Sequence, residues 1–258
     1  MNEPGESMAR RLRLVIAAQL TLMTLFAIHA DAATTAEAIA EADRLFGYGA
    51  DPSNERRALQ LLETALTEAP TDYALLWRAA RSYYYTGDGA AKKEKVRYFE
   101  RGREVANRAI TQSSNAVEGH FWLAANEGGI CREKGGLTAF RMVGKVRAEL
   151  EIVLRLNDAY EEGSVYTALG QIDRQLPGLF GGDLKRSIAR LEQGLRIAPT
   201  NLEIKHALAE SYVEANRKHD ARRQLEELLQ MPVPSARANE NVRAQANART
   251  LLAKLNKK

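Results

Sequence analysis

Along most of the chain, small and apolar residues return every three to four positions, the spacing that gathers them on one stripe of an α-helix rather than one face of a strand. The stripes come in two alternating kinds. One kind carries a small residue, an apolar one four later, a small one three after that, and commonly Pro five further on. Ala58, Leu62, Ala65 and Pro70 fit it, as do Ser187, Leu191, Gly194 and Pro199. Ala221, Leu225 and Leu228 repeat the pattern, each 34 residues beyond its counterpart in the preceding set, and Pro232 and Pro234 flank the expected turn position. The other kind begins six residues after the Pro: Leu76, Ala79, Ala80 and Tyr83 after Pro70, and Lys205, Leu208, Ala209 and Tyr212 after Pro199.

A 34-residue period of paired helices with small residues at their crossings is the signature of the tetratricopeptide repeat. Running the frame through the middle gives Gly102, Ala106 and Ala109, then His120, Leu123, Ala124 and Glu127. It continues with Ala148, Ile152, Arg155 and Tyr160, then Tyr166, Leu169, Gly170 and Asp173, and Ala42, Leu45, Phe46 and Gly49 supply an opening helix. The expected fold is therefore all-α: a tetratricopeptide-type right-handed superhelical solenoid of about five helix pairs over residues 33–235. Residues 236–258 are expected to form a C-terminal helix that caps the stack.

Within a repeat, the frame expects nine residues from the last slot of the first helix to the first slot of the second, as at Tyr212 to Ala221. The gap grows to nineteen from Tyr83 to Gly102, twenty-one from Glu127 to Ala148 and fourteen from Asp173 to Ser187, while the turns between repeats keep their length. The surplus, residues 84–101, 128–147 and 174–186, should project from one edge, and insertions on one edge of a solenoid commonly mark its binding face. The alternative is that longer helices merely continue the packing there. The candidate binding residues are the aromatics Trp77, Tyr84, Trp122 and Phe180, the charged Glu127, Arg141 and Arg174, and the turn glycines Gly181 and Gly182 of LPGLFGGD. The same aromatics at helical spacing also suit a core.

Composition excludes more than it adds. With 45% hydrophobic and 27% charged residues the chain folds, and its 37 basic and 33 acidic residues are interspersed, so a net charge of +4 gives no nucleic-acid-binding block. Cys131 is the lone cysteine, and His29, His120, His206 and His219 share no ligand spacing with it, so neither disulfide nor metal site is expected. No GxxxxGK[ST], GxGxxG, HExxH or GxSxG occurs. No cofactor or catalytic residue is expected, and the chain reads as a non-enzyme.

Arg10, Arg11 and Arg13 precede an apolar run from Leu14 to Ile28 that ends at Ala30-Asp31-Ala32. This reads as a secretory signal peptide over residues 1–32, with Met1 or Met8 as the start and cleavage after Ala32. An uncleaved anchor is the alternative, although the run is shorter than the roughly 20 residues a span needs. The mature chain would be periplasmic, and since no Cys follows the run, a lipid anchor is not supported.

The segment GHFWLAANEGG from Gly119 to Gly129 and the stretch from Val153 to Asn201, which includes LPGLFGGD, resemble the T component of tripartite ATP-independent periplasmic (TRAP) transporters. The resemblance implies a periplasmic helical protein, homo-oligomeric, with a pore or apolar cleft. It would associate with the transporter's solute-binding protein and help pass an apolar or organic-acid ligand. Related patterns occur in eukaryotic regulators of microtubule dynamics, a branch the N-terminal segment argues against. The other expectation is a protein-interaction scaffold in envelope assembly with no small ligand.

Overall fold

The computed structural model describes residues 34–47, 51–233 and 237–256, so the proposed signal peptide and its cleavage site lie outside the described residues. Helix α1 covers 34–45, followed by α2 (Pro52–Glu68), α3 (Tyr73–Gly89), α4 (Lys92–Gln112), α5 (Val117–Lys134) and α6 (Gly136–Asn157). After these come α7 (Tyr160–Gln175), a 3-10 turn at Gly178–Phe180, α8 (Leu184–Ile197), α9 (Leu202–Glu214), α10 (Lys218–Gln230) and α11 (Ala238–Asn256). No strand occurs among the described residues. Five helix pairs and a terminal helix form the tetratricopeptide-type solenoid that the spacing implies.

Polar side chains start the helices where the sequence supplies them. Asp51, Asp72, Asp183 and Asn201 accept hydrogen bonds from the free backbone N–H groups of the first turns of α2, α3, α8 and α9. The repeat slots are the core: Ala58, Leu62, Leu76, Ala79, Ala80, Tyr83, Leu191, Leu208, Ala209, Ala221, Leu225 and Leu228 are buried. Gly194 shows why small residues sit at the crossings, since a Cβ there would lie 2.6 Å from Tyr166 Cβ.

The frame fails in α6. Ala148 and Arg155 are exposed and Ile152 is only half-buried, whereas Val146, Leu150 and Val153 are buried. The same spacing of four and three thus lies two residues earlier than expected, and the insertion from Glu127 becomes nineteen residues, equal to the one before it. The two residues reappear in the turn from α6 to α7, which therefore does not keep its standard length. They are absorbed by three consecutive left-handed residues, Glu161 (φ 50°), Glu162 (φ 55°) and Gly163 (φ 69°). Left-handed backbone is unfavourable for glutamate. Here it is held by hydrogen bonds from Asn201 Nδ2 to the Glu162 carbonyl (2.8 Å) and from Ser164 Oγ to the Glu161 carbonyl (2.6 Å), and by an ion pair between Glu161 and Arg237.

The longer turn changes how the repeats stack. First helices pack directly on one another at α3–α5 and α7–α9. Helices α5 and α7 meet at their beginnings, where Tyr160 packs edge-on to Phe121 at 5.2 Å and accepts a hydrogen bond from Trp122 Nε1 at 3.1 Å. Beyond that point Ala124, Ala125 and Gly128 of α5 and Thr167, Ala168 and Gln171 of α7 face the same open space.

Helix α11 does more than cap. Ala244, Ala248 and Leu255 are buried with residues of α9 and α10, as expected of a cap. Its first turns reach back across the superhelix, where Tyr85 Oη donates to Glu240 (3.1 Å) and Arg243 lies 3.8 Å from Asp88.

A candidate binding groove and the inserted edge

The space between the diverging helices is a groove of about 850 Å³. One wall is apolar, built from Phe121, Ala124 and Ala125 of α5, Ala139, Phe140, Val143, Val146 and Leu150 of α6, and Ala168 and Ile172 of α7. The facing wall is polar, with Glu203, His206 and Glu210 of α9 and Glu240, Arg243 and Asn247 of α11. Tyr84, Cys131 and Arg132 line it as well, and α7 adds the polar Ser164, Thr167, Gln171, Arg174 and Gln175.

The polar wall is paired internally. Arg174 bonds Glu210 (2.8 Å) and Glu214 (2.7 Å), and Arg132 bonds Asp88 (2.7 Å). Burial raises the pKa of Glu203, with the charge of Glu240 adding to it, and raises that of Glu161 against the pull of Arg237. Burial lowers the pKa of His206, opposed by the charge of Glu210. On this wall burial thus favours the neutral imidazole of His206 and the protonated carboxyl of Glu203.

Burial raises the Cys131 thiol pKa, the opposite of what a nucleophile needs. His120 is occupied, with Nε2–H donating to the Ser114 carbonyl (2.9 Å) and Nδ1 2.6 Å from Glu149. Among the described residues no three His, Cys, Asp or Glu side chains gather in a way that would hold a metal ion. The arrangement can bind an amphipathic molecule, with its apolar part on α5 to α7 and its polar part toward α9 and α11.

The sequence-selected residues distribute around this groove. Tyr84 and Arg174 line it. Trp122 is fully buried in the core beside it, and Glu127 is buried with no hydrogen-bond partner for Oε2. Trp77 lies toward the other end of the solenoid, under the guanidinium of Arg78 at 4.1 Å. Arg141 is exposed on α6, and Phe180, Gly181 and Gly182 lie in the loop after α7. The three insertions do come together. Arg132 to Asp88 and Lys134 to Glu100 (both 2.7 Å) join the second to the first, and Phe140 on Phe180 joins it to the third. The first two insertions lengthen α3 to α6, as the alternative reading held, and only the third is a shaped loop.

That loop is fixed by a group the sequence reading placed in a repeat slot without assigning it a role. Asp173, its side chain fully buried, accepts hydrogen bonds from Arg147 (2.5 Å) and Arg186 (2.7 and 2.9 Å) and forms an ion pair with Arg190 (3.1 Å). Burial alone would raise its pKa, but the hydrogen bonds from Arg186 and Arg147 outweigh this and hold it below the usual value. Arg186 and Arg147 also donate to the Gly181 carbonyl. The available signal was a carboxylate in an apolar slot with arginines on the next helices.

Fold and groove together define a tetratricopeptide-repeat protein, and the tetratricopeptide repeat model matches residues 181–246. The chain belongs to the family of regulator of microtubule dynamics protein 1-3, whose model matches residues 38–170, half of the sequence. The pattern shared with those regulators is thus the family relationship itself, and the N-terminal segment does not exclude it. No curated protein matches the chain. Among solved structures, a thermophilic tetratricopeptide protein of Thermus thermophilus, TTC0263, aligns with a TM-score of 0.55 at 20% identity over 79% of this chain and 91% of its own. MamA aligns with a TM-score of 0.50 at 14% identity over 83% of this chain and 94% of its own. These likenesses concern the fold.

Proposed function

We propose that the chain is an exported binding scaffold whose groove holds an apolar or organic-acid ligand, and that it serves a partner protein such as the solute-binding protein of a TRAP-type transporter. The observation that carries the ligand is the groove itself: about 850 Å³ with an apolar wall facing a polar one, behind the central repeats. The transport setting and a homo-oligomeric state rest on the sequence resemblance to the T component.

Filling the groove tests the ligand. Ala168→Trp or Ala125→Trp projects an indole into it, and either is expected to weaken binding of an apolar naphthalene-sulfonate probe by about tenfold or more, ~1.4 kcal/mol. Unchanged binding by variants that melt like the parent would show that the groove is not the site. For the setting, mass spectrometry of the protein expressed in a bacterium is expected to find a chain starting at Ala33. The family's name favours a second reading, a protein-interaction scaffold acting on microtubules. A chain retaining residues 14–28 would instead make this the membrane-anchored protein of the alternative reading.

A further inference from the structure

Four large apolar side chains are exposed together at the outer end of the inserted edge. Leu137 is 62% and Leu179 89% exposed, and Phe140 and Phe180 are nearly half exposed. The two phenylalanine rings meet edge to face at 4.6 Å, joining α6 to the 3-10 turn after α7. Leu137 lies one turn before Phe140 on the same side of α6, and Leu179 precedes Phe180.

Backbone and side-chain hydrogen bonds hold Leu179 and Phe180 outward. Asp183 N–H donates to the Asp173 carbonyl (2.7 Å), Arg186 to the Gly181 carbonyl (2.6 Å), and a Cβ on Gly182 would lie 1.7 Å from the Leu176 carbonyl oxygen. The apolar tip is therefore held out in water by a loop of fixed shape, and a contiguous apolar patch of this kind marks a contact surface.

Basic side chains lie on the elements that carry the tip. The neighbouring acids are already engaged, Asp173 by three arginines and Asp183 as the cap of α8. Arg141, Lys145 and Lys185 are outward and have no ion pair among the described residues. A protruding tip needs no matching socket if its partner is fluid, and apolar side chains on the same elements as exposed cations match the layering of acyl chains under anionic headgroups. We propose that Leu137, Phe140, Leu179 and Phe180 insert into the surface of an anionic bilayer, with Arg141, Lys145 and Lys185 on its headgroups.

The test reads the tip alone, so that the apolar run at 14–28 in the full chain does not supply the signal. An environment-sensitive fluorophore is placed on Leu179→Cys in a Cys131→Ser background. With vesicles of phosphatidylglycerol and phosphatidylcholine its emission is expected to shift to the blue and to be quenched by nitroxides within the bilayer, with no change on phosphatidylcholine alone. Combining Arg141→Gln, Lys145→Gln and Lys185→Gln is expected to lower partitioning by about a hundredfold, taking about fivefold per cation. A water-like spectrum with both vesicles would overturn the proposal, as would equal shifts with both, or a shift produced only by an acidic protein. Ala168→Trp is expected to leave the shift intact, so failure of the groove reading and failure of this one are distinguishable.

Discussion

Replacing Asp173 with alanine is expected to destabilise the protein by about 3 kcal/mol, the lower end of what breaking a buried ion pair costs by removing one partner. The substitution leaves Arg147, Arg186 and Arg190 facing one another around an empty position, with the loop carrying Gly181 no longer tied to α7 through their shared carboxylate. The figure is kept low because Arg147 and Arg186 reach solvent, so water relieves part of the loss. The sign of the pH effect follows from the depressed pKa. The stabilisation is present above the ordinary aspartate value of 3.8 and is lost as pH falls through the lower folded-state value. Denaturant unfolding of the parent, Asp173→Ala and Asp173→Asn near neutral pH measures it. A loss below about 1 kcal/mol for both would mean that the three arginines are satisfied by water and that Asp173 does not organise the loop.

Gly194→Leu is expected to cost about 3 kcal/mol or more, the upper end of overpacking, and to lower the melting temperature by roughly 6 to 12 °C. The reason is where the contact falls. An added Cβ meets Tyr166 Cβ at 2.6 Å, an atom that no rotamer change moves away, and Cγ at 2.9 Å. Helix propensity alone favours the replacement by up to about 1 kcal/mol, so propensity and packing predict opposite signs. Gly144→Ala is the control. Its Cβ would meet nothing within 4 Å on the exposed side of α6, and it is expected to raise stability slightly. A melting temperature for Gly194→Leu at or above that of the parent would mean that α7 and α8 do not cross where the structure places them.

The repeat was legible because close helix crossings force small residues into fixed slots, as Ser187, Gly194 and Ala221 show. Helix α6 was misread because Ala148 and Ile152 satisfy the spacing as well as Val146 and Leu150 do, and only burial separates the two. Nothing in a pair of glutamates announces left-handed backbone, so the lengthened turn at Glu161 and Glu162, and the groove it opens, were hidden. The edge formed by the insertions was foreseen as a place, since chain geometry alone brings neighbouring corners together. Its contents were not, because pairing Asp173 with Arg147 and Arg190 depends on how α6, α7 and α8 rotate against one another.

Open repeat arrays behave as lines: each unit touches only its neighbours, and the outermost ones fray first. The bonds from Glu240 to Tyr85 and from Arg237 to Glu161 tie the last helix to the second and fourth repeats, turning part of that line into a loop. Unravelling from the C-terminal end then requires breaking contacts with the middle of the chain as well as with the last pair. Amide protons of α9 and α10 should accordingly exchange nearly as slowly as those of α5, giving a solenoid that opens as one unit instead of peeling from its end.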